Sequence, residues 1–167
     1  LHTAITQAIQ HFDPLEEAQA RLAQGHLFAQ RRQREEAELA FRSALLFFEQ
    51  SKQHPHLLAN TYNDLGSLFR QNGSLEEAEP YHLKALSLQR QYADSNGEAI
   101  TLGQLGHLYR LQGRYHEAIH VYDLALSLHR AWEDRIGEGI TLNNLANIHA
   151  RQGRLTEAEA NYRTSLS

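Results

Sequence analysis

His116-Glu117-Ala118-Ile119-His120 has the HExxH spacing by which zinc hydrolases hold a catalytic metal. On a helix the two imidazoles fall one turn apart on the same face, and the glutamate between them is placed to take a proton from a metal-bound water. That chemistry also needs a third ligand in the same cleft, such as a later His or a Glu on a following helix. Glu133 and Glu138 do follow, but beyond the helix that would carry the motif. What decides the matter is whether the rest of the chain makes these five residues unusual.

It makes them ordinary, because the chain repeats itself. Asp64 to Leu102 overlays Gln104 to Leu142 without a gap at a fixed offset of forty residues. The overlay pairs Leu65 with Leu105, Gly66 with Gly106, Arg70 with Arg110, Gly73 with Gly113, Ala78 with Ala118, and Gly97-Glu98 with Gly137-Glu138. A third copy begins forty residues later at Asn144, and a more divergent one lies forty-one residues upstream, where Gly25, Phe28, Ala37, Phe41 and Ala44 fill the same roles. The equivalents of HEAIH are Glu76-Glu77-Ala78-Glu79-Pro80 and Thr156-Glu157-Ala158-Glu159-Ala160. Ala118 is thus a close-packing position, and Glu117 is a negative charge suited to a helix N-terminus. The two histidines read as a solvated pair. No metal site and no cofactor are expected. Neither a GxSxG elbow nor a phosphate-binding glycine loop occurs, so the chain is read as non-enzymatic, with the zinc hydrolase as the weakest alternative.

Bulk composition narrows the partners. Sixteen Lys and Arg against twenty Asp and Glu give a net charge of −4, and the short Arg31-Arg32-Gln33-Arg34 cluster runs straight into Glu35, Glu36 and Glu38. Nucleic acid is therefore not expected as a partner. There are no cysteines, which removes disulfides and thiolate chemistry and fits a cytoplasmic setting. No apolar stretch approaches the ~20 residues that span a bilayer, so no membrane partner is expected. The chain starts at Leu1 rather than Met, as a segment of a longer protein would.

Each repeat reads as two antiparallel helices. Leu102, Leu105, Leu108 and Tyr109 recur at helical spacing, Gly113 interrupts, and Ala118, Tyr122, Ala125 and Leu126 begin a second stripe. Small residues stand where helix axes must approach, and aromatics fill the space between. Asp13-Pro14-Leu15-Glu16 and Ser74-Leu75-Glu76-Glu77 have the form of capping boxes. Pro80 lies inside a second helix, where it removes a hydrogen bond and is expected to kink it.

Leu-Gly-x-Leu-Phe/Tyr, a Gly turn, Glu-Ala, an aromatic and Ala-Leu, repeated four times, resemble the tetratricopeptide repeat family over residues 15 to 167. The forty-residue unit and its Asp-x-x-Gly-Glu junction resemble the extended repeats of kinesin light chains and of multidomain bacterial signalling proteins. The resemblance implies an all-α fold, a right-handed α-solenoid of helix hairpins. Residues 1–13 are read as the tail of a preceding repeat's helix, and 14–167 as one domain with repeats at 14–55, 56–96, 97–136 and 137–167, the last truncated.

A solenoid of this kind lines its concave wall with the first helix of each hairpin. By resemblance to peptide-binding members, the inner-face residues Asn63, Arg70, His107, Arg110, Asn143, Asn147 and Arg151 are the candidate binding set. A carboxamide both donates to and accepts from a peptide backbone, and arginine grips a carboxylate or phosphate with two donors. The only lysines, Lys52 and Lys84, lie off the first helices, so a lysine clamp for a chaperone's terminal carboxylate is not expected. The function expected is a protein–protein interaction scaffold holding a partner's peptide or helix. The alternative is a self-association module, a homodimer formed through the uncapped terminal repeat.

Overall fold

The structure, a computed structural model, describes residues 13–165; the expected helix tail before Asp13 lies outside them. The described residues form eight helices and no strand: α1 Pro14–Gln30, α2 Arg34–Ser51, α3 Pro55–Gln71, α4 Leu75–Gln91, α5 Ser95–Leu111, α6 Tyr115–Ala131, α7 Arg135–Arg151 and α8 Leu155–Ser165. They pair as antiparallel hairpins α1/α2, α3/α4, α5/α6 and α7/α8, each stacked on the next. This is the all-α solenoid that the forty-residue period implies.

The turn inside each hairpin is set by one left-handed residue. Gly73, Gly113 and Gly153 take φ of +81°, +75° and +75°, where a side chain would be strained. The residue after each glycine then donates back to close the turn: Ser74 N to Phe69 O at 3.0 Å, Arg114 N to Tyr109 O at 2.9 Å and Arg154 N to His149 O at 2.9 Å. Arg32 fills this place in the first hairpin at φ +59°.

Capping follows the sequence at one expected site and departs from it at the other. Asp13 accepts from Leu15 N at 3.0 Å. Ser74 precedes α4 but makes no side-chain cap bond; its hydroxyl instead faces the Arg34 guanidinium at 3.5 Å. The equivalent places hold Gln33 and Arg114, which also make no cap bond, so this turn depends on its backbone closure rather than on a capping side chain. Helix α4 continues through Pro80 to Gln91.

The Asp-x-x-Gly-Glu signature proves to be a junction device. Asp94 and Asp134 cap α5 and α7 by accepting from Gly97 N at 2.9 Å and Gly137 N at 3.0 Å. A Cβ on Gly97 would meet Asp94 Oδ2 at 2.6 Å and Gln89 Nε2 at 2.8 Å, so glycine is required by space. Glu98 and Glu138 accept from Arg90 and Arg130 of the preceding helix, both at 2.7 Å.

The core is built from the alanines that the repeat predicts. Ala37, Ala44, Ala78, Ala85, Ala118 and Ala125 are fully buried. Beside them, a large ring on each second helix lies over a glycine of the first: Phe41 over Gly25, His82 over Gly66 and Tyr122 over Gly106. The ring's identity changes from repeat to repeat although its seat does not.

Candidate peptide-binding groove

First helices of successive hairpins touch directly, α3 with α5 and α5 with α7, in addition to their contacts with neighbours in the chain. No comparable contact joins the second helices among the described residues. The first helices therefore form the shorter, inner layer, and their outward stripe is the concave wall.

The expected binding residues separate into three groups on that wall. Asn63 is tied into the protein. Its amide donates to Thr101 Oγ1 of α5 at 2.6 Å, and its carbonyl faces His82 Nδ1 of α4 at 3.0 Å. Both ends of the carboxamide join helices rather than standing free for a peptide backbone. The corresponding position forty residues on is Gly103, and after that Asn143.

Asn143, Asn147 and Arg151 form the second group, exposed along α7. Asn147 donates to Asn143 O at 2.9 Å and accepts from the Tyr162 hydroxyl at 2.8 Å. This leaves Asn147 one amide hydrogen and a carbonyl lone pair for a ligand.

Arg70, His107 and Arg110 make up the third group, and here charge collects. All three are half-buried on α3 and α5, and neither arginine has a carboxylate partner among the described residues. Arg70 Nε is buried with no acceptor. Burial holds the Arg70 guanidinium below its usual value, and the Arg110 charge adds to the effect. Burial also lowers His107, with Arg70 and then Arg110 pushing the same way. Burial lowers His82 behind them to about 4, aided by Arg70. The imidazoles are thus neutral at pH 7, and the positive charge of the cluster resides on the guanidiniums.

Tyr122 completes this cluster and was not among the residues expected to bind. Its ring is fully buried over Gly106, and its hydroxyl proton has no acceptor among the described residues. Burial raises it to about 12, against the opposing charge of Arg110, which also donates a hydrogen bond to the hydroxyl oxygen, and the charge of Arg70, so the hydroxyl keeps its proton. Periodicity could mark Tyr122 only as a packing residue. What it could have suggested is that a polar ring had replaced the Phe41 of the first repeat at the same seat.

A cavity of about 540 Å³ opens beside the cluster between α5 and α7, with His107 as the shared wall. Ile100, Ile136 and Ile140 line it and are 51%, 78% and 59% exposed. Such a volume suits one or two side chains of a ligand.

The HExxH residues lie elsewhere. His116 and His120 are exposed on α6, and Glu117 is held by Arg114, whose Nε donates to it at 2.8 Å. That bond keeps the Glu117 carboxyl below its usual range, which makes it a weak general base. The described residues contain no cluster of three or more His, Asp or Glu able to hold a metal. No helix among them is long and apolar enough to cross a membrane.

A tetratricopeptide repeat family model matches residues 57–131 and, overlapping them, 97–167. The chain belongs to the tetratricopeptide repeat family. No curated protein matches it. Among solved structures, BtubC (BKLC) from P. vanneervenii superposes with a TM-score of 0.84 at 21% identity, over 93% of this chain and 65% of that one. Aspartyl phosphate phosphatase F from Bacillus subtilis gives 0.90 at 16% identity, over 96% and 42%. A Rap protein complexed with competence and sporulation factor gives 0.84 at 16% identity, over 93% and 43%. This chain thus spans less than two thirds of the length of each, and at these identities the likeness concerns the tetratricopeptide fold.

Proposed function

We propose that this tetratricopeptide domain is a non-catalytic interaction scaffold whose inner helices α3, α5 and α7 hold an extended or helical segment of a protein partner. The observation that carries this reading is the concentration of unspent polar capacity on one wall. Arg70 Nε and the Tyr122 hydroxyl proton are buried without an acceptor, neither Arg70 nor Arg110 has a carboxylate partner among the described residues, and a partly apolar cavity opens at His107 on the same wall. Unsatisfied buried donors cost stability, and a ligand that satisfies them is the simplest reason to keep them. The Rap structure complexed with competence and sporulation factor supports the reading by fold likeness.

The test is a selection of random dodecapeptides on the folded domain, followed by backbone amide chemical-shift mapping of a selected peptide. Shifts concentrated on α3, α5 and α7 are expected. Shifts confined to α4 and α6, or a selected pool no different from the starting library, would remove the groove from consideration.

A further inference from the structure

The groove makes no use of His116 and His120, and these two differ from the other described histidines. His26, His56 and His129 face Asp64, Asp94 and Asp134 at 3.4, 3.0 and 2.8 Å, and the remaining described histidines are at least partly buried. His116 and His120 are exposed and make no hydrogen bond, ion pair or ring contact among the described residues. Packing does not explain them either. Ala118 between them is fully buried and recurs as Ala78 and Ala158, but the flanking places hold Glu76 and Pro80 one repeat earlier and Thr156 and Ala160 one repeat later. The fold therefore accepts many residue types at both places, and only this hairpin carries two imidazoles there.

Helix geometry brings the two rings together. Helix α6 runs from Tyr115 to Ala131 without a break, so residues four apart stand one above the other on one face, their Cβ atoms about 6 Å apart. One metal ion spans that gap, with each ring nitrogen at about 2.1 Å in the case of zinc. The glutamate between them does not compete for the ion, because Arg114 holds Glu117. Asp123 lies on the same exposed stripe one turn beyond His120 and brings a negative charge toward the bound dication. Two neutral nitrogens also select the class of metal. Mg2+ and Ca2+ require oxygen ligands, whereas imidazole suits the borderline ions Ni2+, Cu2+ and Zn2+. We propose that His116 and His120 form a two-imidazole chelate for one borderline transition-metal dication on the outer layer of the solenoid, apart from the α3/α5/α7 groove. Water fills the remaining coordination positions, and the bound ion ties the first two turns of α6 together, so that its occupancy adds to stability. The chain thus departs from the expectation of no metal site at these two residues, without the third protein ligand of a zinc hydrolase.

Calorimetric titration of the untagged chain with Ni2+ tests the assignment. The tightest class of binding should hold one ion per chain. H116A and H120A should each weaken it roughly a hundredfold, the scale of gain from tethering two binding groups. Substoichiometric Ni2+ should broaden backbone amide signals most strongly around residues 116–123. Unchanged affinity in either variant, or broadening centred on another histidine, would overturn the site. Two further variants separate spacing from the mere number of imidazoles. H120A/S127H keeps the histidine count but places the rings three turns apart and should bind as weakly as H120A; native-like binding would overturn the chelate. T156H/A160H, introduced into H116A/H120A at the equivalent exposed places of α8, should restore tight binding, and its failure to do so would overturn the claim that this spacing on this scaffold is enough. Thermal melting without metal confirms that each variant is folded, as exposed positions allow. Peptide binding in the groove should be the same with and without Ni2+, so this site and the groove stand or fall separately.

Discussion

Two pairs of arginines, each repeated at the forty-residue offset, show what the fold does with charge. Arg90 and Arg130 lie on the second helices and close the junctions, each donating at 2.7 Å to the glutamate that opens the next hairpin. Arg70 and Arg110 lie on the first helices and meet no acid. The junction pairs are half exposed and so contribute only modestly, but they are satisfied. The inner pair is half-buried without a counterion among the described residues, so its charge opposes folding. The same residue type thus serves the scaffold on one layer and stands without a counterion on the other, and the two settings predict opposite responses to mutation.

The largest response should come from the ring seats behind the inner wall. His82 is fully buried and lowered to about 4, mainly by burial, so below pH 6.5 the unfolded chain takes up a proton that the folded one refuses. Stability therefore falls as pH drops from about 6.5 toward 4 and levels off below, by up to roughly 3 kcal/mol from the size of the shift. Asp64 works against it. Burial raises its carboxyl to about 6, so the folded state binds that proton first and gains stability as pH falls over the lower part of the same range. Urea titrations of H82F beside the native chain separate the two, since Phe41 shows that this seat accepts phenylalanine. The difference between the two proteins should shift in favour of H82F as the solution is acidified. A difference independent of pH would mean that the fold does not shift the His82 titration from its unfolded value.

Next in size is G106A. A Cβ there would lie 2.6 Å from the Tyr122 ring, and relieving the overlap should cost about 2 kcal/mol. The overlap should show as a lower Tm. G103A, a control on the same helix with open space around its Cβ, should not lower it and should gain a little from helix propensity. Equal melting of the two variants would show that Tyr122 is not seated as described.

How much of this was legible in the sequence depends on which physical quantity fixed each feature. The period placed Ala78, Ala118, Gly66 and Gly106 in the core because close helix approach is a one-residue property that repeats with the backbone. The inner wall followed from the same register, and with it Arg70, His107 and Arg110. Asn63 and Ser74 were different. Whether a carboxamide faces solvent or bridges to Thr101 and His82 depends on three helices at once, and whether a serine caps depends on what its hydroxyl meets across the junction. Tyr122 was read as packing alone, since an aromatic stripe reports the ring and is silent about where the hydroxyl ends.

The smallest effect is the most direct test of the opening contrast. R90M should lower stability and R70M should raise it, each by no more than about 1 kcal/mol, since one removes an exposed ion pair and the other a half-buried charge without a counterion. A double-mutant cycle isolates the pair energies from the methionine's own packing. Between Arg90 and Glu98 the coupling should be favourable, a few tenths of a kcal/mol, and should shrink in high salt. Between Arg70 and Arg110 it should be unfavourable, so that R70M gains less once Arg110 is already methionine. A favourable coupling between Arg70 and Arg110 would mean that the two guanidiniums do not repel across the inner layer as their electrostatics imply.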